Sequence, residues 1–302
     1  MFVSYSPSMH RVLVVGSGIQ GLSKAIKHHL LGHQVVILEK REQIGGRGSG
    51  DSIQGFSLEN GPHFLLKNGP LYKLIKKVGG IKPMYRPLLP QKIQIAGVGK
   101  LLPMDSPSAL LQYKKGLDKV REDAAIFVSS WGLDLPLRKK ALFKQGLLVP
   151  RTGWSGLIGR IASAIDEAGI PIQTNCVVEE VIEGGVRLRD GRKVVADSVF
   201  MCTGPISERK ASTIDLVLSS KPLLGLHGVI ENETAIFDLA AINNARMQEG
   251  SHLSCISFNG GVSHLENFLD KRAAGWRDHV LAIKRNKAIT ITDNGGLSDA
   301  RI

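Results

Sequence analysis

The chain has 302 residues, 43% of them hydrophobic, and a formal net charge of +12. That length supports a large core and two domains, and no run approaches the roughly 20 apolar residues that cross a bilayer. The basic residues fall in small dispersed groups, such as Lys73, Lys76 and Lys77 or Lys284, Arg285 and Lys287, with neither a basic tail nor interleaved aromatics; this argues against a nucleic-acid partner and leaves a solvated surface or attraction to anionic lipid headgroups.

The opening MFVSYSPSMHR lacks the basic-then-apolar order of a secretory leader. Val12–Val15 is an apolar, β-branched run, followed at once by Gly16-Ser17-Gly18-Ile19-Gln20-Gly21. Ile19, Leu22, Ala25, Ile26 and Leu30 then recur at helical spacing, and a second apolar run, Val35–Leu38, ends at Glu39. Strand, tight turn, helix, strand and terminal acid together predict a dinucleotide site. Gly16 permits the turn, Gly18 lets backbone approach a pyrophosphate, and Gly21 lets helix and strand pack closely. The helix N-terminus offers unpaired N–H groups to phosphate. Glu39 stands about 20 residues on, where a carboxylate accepts from ribose hydroxyls. The plain alternative is a glycine-rich turn in an ordinary α/β protein.

Arg41, Ile44, Gly45, Gly46 and Arg47 resemble the second glycine pair and arginine of the FAD-dependent amine oxidase and phytoene desaturase superfamily. The resemblance implies that this loop packs over the FAD pyrophosphate and that Arg47 contacts it, in keeping with the bidentate reach of a guanidinium. Phe56–Phe64 contains Gly61-Pro62-His63, similar to the family element beside the flavin ring. Gly61 would allow close approach to the cofactor and Pro62 would stiffen the turn. His63 is the candidate for the chemistry, or else a structural histidine that pins the loop.

Pro70–Val78 carries helical spacing and is stopped by Gly79-Gly80. Residues 81–107 are rich in proline and glycine, with a strand-like piece at Lys92–Ala96, and Ser108–Leu148 is broadly helical in pattern. A helix is expected from about Ser155 to Ala168, with Leu157, Ile158, Ile161 and Ile165 inward and Gly169 and Pro171 ending it. Ile170–Thr174 resembles a strand; Cys176–Ile182, Val186–Arg189 and Lys193–Val195 read as three antiparallel strands, the last two joined at Asp190-Gly191. Ser198–Cys202 is a strand leading to Thr203-Gly204-Pro205. The passage resembles the family's second FAD-binding segment, which implies that Val178, or Val177 one residue earlier, contacts adenine. A second excursion opens at Asp215, with strands at Ala235–Leu239, His252–Phe258 and Ile289–Thr292 and a helix at Ser263–Arg272.

The expected fold class is α/β, a Rossmann-like FAD/NAD(P)-binding domain with a discontinuous, mixed α+β substrate domain. Residues 9–80 and 149–210 form the nucleotide part; 81–148 and 211–302 form the helical and sheet parts of the substrate domain. The resemblance implies FAD as cofactor, held by Gly16, Gly18, Gly21, Glu39, Lys40, Gly45, Gly46, Arg47, Gly61, Pro62, Val178, Thr203 and Gly204. The family's third FAD segment is not recognised; Asn294–Asp299 is its only glycine-containing echo, so a partner chain completing the flavin site is one expectation. Cys176, Cys202 and Cys255 have no metal-ligand spacing, which predicts no metal and fits a reducing cytoplasm, with peripheral membrane contact open. The leading expectation is an FAD-dependent oxidoreductase that abstracts hydride from a small-molecule amine or an isoprenoid or lipid-like substrate. The alternatives are a non-catalytic dinucleotide-binding relative or partner subunit and an NAD-dependent enzyme.

Overall fold

The computed structural model describes residues 10–67, 70–77, 85–96, 101–103, 147–203, 210–231, 233–244 and 246–290. The chain opens with β1 (Arg11–Val15), α1 (Ile19–Leu30) and β2 (Gln34–Leu38). A hairpin follows, β3 (Asp51–Ile53) and β4 (Phe56–Leu58), turning through left-handed Gln54 and Gly55. Next come β5 (Leu65–Leu66), α2 (Pro70–Lys77), β6 (Tyr85–Pro87), β7 (Ile93–Ala96), β8 (Leu101–Pro103) and β9 (Leu147–Pro150). Then α3 (Gly153–Glu167) and β10 (Ile172–Gln173) lead to the meander β11 (Val178–Ile182), β12 (Gly185–Leu188) and β13 (Lys193–Val195), and β14 (Ser198–Met201) closes this half. The rest is β15 (Lys210–Leu218), β16 (Gly228–Glu231), β17 (Thr234–Asp238), α4 (Leu239–Ile242), β18 (Ser251–Ser257), α5 (Val262–Arg272) and β19 (Val280–Thr290).

Two sheets dominate. One is parallel, in the order β10-β2-β1-β14. Its strands are short apolar runs without alternation because both faces are covered. On one face, Leu22, Ala25 and Ile26 of α1 and Leu157, Ile158, Ile161 and Ile165 of α3 pack on Val12, Val14, Val35 and Ile37. On the other, Val186 and Leu188 of the meander, with Cys176 and Ala196, cover Leu13, Val15 and Leu38. Each buried Val, Leu or Ile among them contributes about 1.5–3 kcal/mol by leaving water.

The second sheet has seven strands, β19-β15-β18-β17-β16-β7-β8, antiparallel except where β16 meets β7. Leu265, Phe268 and Leu269 of α5 pack on one face; Leu88, Leu147 and Val149 lie against the other.

The expected helix at residues 70–78, helix at 155–168, three-stranded meander and helix at 263–272 all match elements to within two residues at most ends. Two expectations are corrected. Leu147 and Leu148, placed in a helical stretch, form β9, paired antiparallel with both β5 and β6. A short, fully buried apolar run has no periodicity to separate strand from helix. The expected strand Ile289–Thr292 is only the end of β19, which begins at Val280; Lys284, Arg285 and Lys287 interrupt its apolar pattern, as suits an edge strand. The helices expected within 108–146, the Gly79-Gly80 stop, residues 291 and 292 and the Asn294–Asp299 turn lie outside the described residues.

Candidate functional site

Three glycines fix the turn between β1 and α1, each for a different reason. Gly16 has φ +104°, its N–H donates to the Leu38 carbonyl at 2.7 Å, and a Cβ there would stand 2.9 Å from the Cys202 carbonyl oxygen. A Cβ on Gly21 would overlap the Gly16 carbonyl, so helix and turn touch through bare backbone. Gly18 is the N-cap of α1 at φ −66°, an angle open to any residue, and a Cβ there would meet nothing within 4 Å. Its missing side chain keeps space clear in front of the helix. No side chain caps that helix, so the first-turn N–H groups remain available to an anion.

The cap position is itself a glycine, and the hydroxyl just before it is turned inward. Ser17 is buried, and both its N–H and its hydroxyl donate to Glu39 Oε2 at 2.7 Å. The Arg41 N–H donates to Glu39 Oε1 at 2.9 Å. Burial alone would raise the Glu39 carboxyl; donation from Ser17 and Arg41, with the Arg41 charge, outweighs it and holds the group below the usual carboxylate range. Glu39 therefore stays ionised and braces the turn besides lying where ribose is expected. Sequence reasoning missed Ser17; the available signal was a small hydroxyl between two glycines on the strand next to an acid.

The second glycine loop lies directly on the first. Gly45 (φ +101°) donates its N–H to the Ser17 carbonyl at 3.0 Å and forms an isolated parallel bridge with Gly18. A Cβ on Gly46 (φ +58°) would sit 3.3 Å from Gly18 Cα, and one on Gly45 would sit 2.9 Å from Ile158 of α3. Arg47 is exposed, and its guanidinium donates to the Thr290 carbonyl at the end of β19, at 2.9 Å. Lys40, next to Glu39, is exposed.

Past the hairpin, Asn60 Nδ2 donates to the carbonyls of Arg47 (3.1 Å) and Ser49 (3.0 Å), tying the second loop down. Gly61 has φ +129°, and its missing side chain makes room for Thr213 of β15, whose Cγ2 would lie 2.7 Å from a Cβ. The close approach at Gly61 is thus to protein. Pro62 is buried behind it. His63 Nδ1 donates to the Gly61 carbonyl at 2.8 Å, and the ring stacks on Trp154 with centroids 5.4 Å apart. Burial pulls the His63 imidazole below its ordinary value against the opposing pull of Glu59 and Asp215, leaving a neutral ring with a lone pair at Nε2.

The Cys176 N–H donates to the Glu39 carbonyl at 2.8 Å, and Asn175 to that of Arg41 at 3.2 Å. These bonds carry the chain past the end of β2 into half-buried Val177 and Val178. The Val177 carbonyl accepts from Arg189 at 2.9 Å, while Val178 opens β11. Thr203 follows β14 and lies beside Gly16; Gly204 lies outside the described residues. Gly16, Gly18, Glu39, Gly45, Gly46 and Thr203 thus converge at the carboxyl ends of β1, β2 and β14, the usual ligand crevice of an open parallel sheet. Gly61–His63 form a separate group on the β15 side.

Residues 14–78 match a family model described as an NAD(P)-binding Rossmann-like domain. Over 55 residues the chain is 44% identical to a 4,4'-diapophytoene desaturase of Staphylococcus haemolyticus, covering 18% of this chain and 11% of that one. Over 84 residues it is 38% identical to polyamine oxidase 2 of Arabidopsis thaliana, covering 27% and 16%. These matches therefore span only a small part of either relative. The solved structure of an oxidoreductase from Methanosarcina mazei superposes with a TM-score of 0.67 at 17% identity, over 96% of this chain and 90% of that one, a likeness of fold. With the two stacked glycine loops, these likenesses support a relationship of the chain to the FAD-dependent amine oxidase and phytoene desaturase superfamily.

Proposed function

We propose that the chain binds FAD and serves as an oxidoreductase that removes hydride from a C–H bond of an amine or an isoprenoid or lipid-like substrate. The observation that carries this reading is the Gly45–Gly46 loop lying on Gly18, bridged to it through backbone. A nicotinamide-binding Rossmann turn works without such a second layer, whereas a pyrophosphate enclosed from two sides suits a permanently held dinucleotide. The residues present fit the group: an uncapped helix N-terminus, a clear space before Gly18 and an ionised Glu39. When bound, the flavin supplies the hydride acceptor, and the protein supplies orientation and electrostatics. The α1 N-terminus would hold the pyrophosphate, Glu39 would accept from ribose hydroxyls, and Val178 would pack on adenine. His63, fixed by Gly61 and Trp154, can take up a proton at Nε2. The substrate classes come from the names of the desaturase and polyamine oxidase relatives.

The +12 charge supports peripheral association with an anionic bilayer, where a lipid-like substrate would partition. Among the described residues no helix is long and apolar enough to cross a membrane. The test is the absorption spectrum of the purified protein before and after adding FAD, with calorimetric titration of FAD and ADP. Saturable binding of both and a perturbed flavin spectrum are expected. Binding of ADP without any flavin spectrum change would favour a non-catalytic nucleotide-binding role, and binding of neither would refute the proposal.

A further inference from the structure

Glu59, Arg246, His252 and Asp215 close a ring of hydrogen bonds in the protein interior. Arg246 Nη1 donates to Glu59 Oε1 at 3.1 Å, with side chains 6% and 2% exposed. Arg246 Nη2 donates to His252 Nδ1 at 3.2 Å. A guanidinium has no lone pair to offer, so Nδ1 is the acceptor, and Nε2 carries the proton that faces Asp215 Oδ1 at 2.5 Å. Asp215 Oδ2 accepts the backbone N–H of Glu59 at 3.0 Å, which closes the ring. The fold makes room for it: Gly153 holds φ +75°, and a Cβ there would overlap both Arg246 Nη1 and Glu59 Oε1.

A well-packed apolar cluster often stabilises a core as well as buried ion pairs do, so stability is a weak reason for such a ring. Its connections indicate another. Glu59 Oε1 also accepts the N–H of Trp154 at 2.7 Å, in the first turn of α3. That helix supports the second glycine loop from below, because Ile158 bounds Gly45, and Trp154 and Ile158 bound Gly48. The neighbour of Glu59 is Asn60, which ties the same loop through the Arg47 and Ser49 carbonyls. Both supports of the second glycine loop therefore start at one residue, Glu59: α3 hangs on its carboxylate, which Arg246 holds, and Asn60 follows its backbone, whose N–H Asp215 holds on the side of the seven-stranded sheet.

We propose that the Glu59–Arg246–His252–Asp215 ring positions the second glycine loop over the pyrophosphate site, making Arg246 and Asp215 positioning residues for dinucleotide binding that act through the loop. This rests on the dinucleotide reading above. The test uses the full chain as wild type, Glu59→Gln, Arg246→Met and Arg246→Lys, with urea unfolding for each and calorimetric affinities for FAD, ADP and adenosine. Neutralising the shared acceptor in Glu59→Gln, or removing the Arg246 donors to Glu59 and His252 in Arg246→Met, should weaken FAD and ADP binding by about tenfold or more, while adenosine, which would meet Glu39 and Val178, binds as before. Arg246→Lys, with its charge but not its planar fork, should recover part of the loss. Should Arg246→Met fail to fold, Arg246→Lys and His252→Gln carry the same comparison. Folded variants that bind ADP like the wild type, or that lose adenosine and ADP equally, overturn the proposal. A wild type that binds neither FAD nor ADP overturns the dinucleotide reading and this inference together, and that outcome is separately visible in the wild-type arm.

Discussion

Glu39→Gln separates two roles that one carboxylate holds at once. Oε2 accepts two donors from Ser17 and Oε1 accepts one from Arg41. An amide has one acceptor oxygen, so glutamine must turn its NH2 toward one of these sets. Facing Arg41 sacrifices one bond and facing Ser17 sacrifices two, so the oxygen stays with Ser17. The Arg41 bond is then lost, at about 1.5–3 kcal/mol for a charged acceptor, and the two Ser17 bonds weaken because their acceptor becomes neutral. With Glu39 only 5% exposed, water repairs little of this. A loss of about 2–4 kcal/mol in unfolding free energy without ligand follows. Urea unfolding should show it as a midpoint lower by about 1 M or more at typical slopes, and ADP affinity should fall in the same variant. An unliganded midpoint equal to the wild type would refute the bracing role and leave Glu39 acting on ligand alone.

Gly18→Val adds a side chain to open space at an ordinary φ, so folding should persist while ADP and FAD binding disappear in calorimetry. Gly21→Ala drives a Cβ into the Gly16 carbonyl and should destabilise the fold by about 3 kcal/mol or more, as overpacking against rigid backbone does; equal effects of the two variants on stability would contradict the assigned roles. His227 is buried, its Nδ1 accepts from the Leu89 N–H, and burial together with Lys92 depresses it to about 4. Its neutral ring therefore contributes stability that is complete above about pH 6.5 and is lost as pH falls toward 4, up to about 3 kcal/mol; the wild type should lose stability over that window more steeply than His227→Asn, and parallel curves would count against it. Vesicle sedimentation should show binding to anionic but not neutral bilayers at low salt and release at high salt, and equal recovery in both supernatants would leave the basic surface without a lipid role.

The part of the site that could be read from sequence is the part whose physics is local. β1, the glycine turn, α1, β2 and Glu39 are consecutive; Gly16 answers to a positive φ and Gly21 to Gly16 close in the chain, while Gly18 leaves open the space before the helix. The same holds for the meander from β11 to β13, whose Asp190-Gly191 turn places Gly191 at φ +87°. What could not be read depends on distant partners. The Arg47 guanidinium meets a carbonyl 243 residues away, and Gly61 clears space for Thr213, whose hydroxyl donates to a carbonyl 153 residues back. A glycine or an arginine in a motif announces close approach or charge pairing, but the motif does not name the partner. β9 and β19 show the same limit in strands, since one lacks periodicity through total burial and the other through edge charges.

The buried ring extends this argument. Glu59, Arg246, His252 and Asp215 are each unremarkable in sequence, because a lone charged residue between apolar neighbours usually marks a solvated face. Only the fold brings them together, and once together they cannot be independent: a carboxylate deprived of its guanidinium inside the protein costs several kcal/mol. The consequence is directional. The glycine loops define where a dinucleotide fits, yet their mutual distance is set from the other sheet. Substitutions near Arg246 should therefore resemble lesions of the glycine turn in their effect on binding, although the two regions are more than 200 residues apart in sequence.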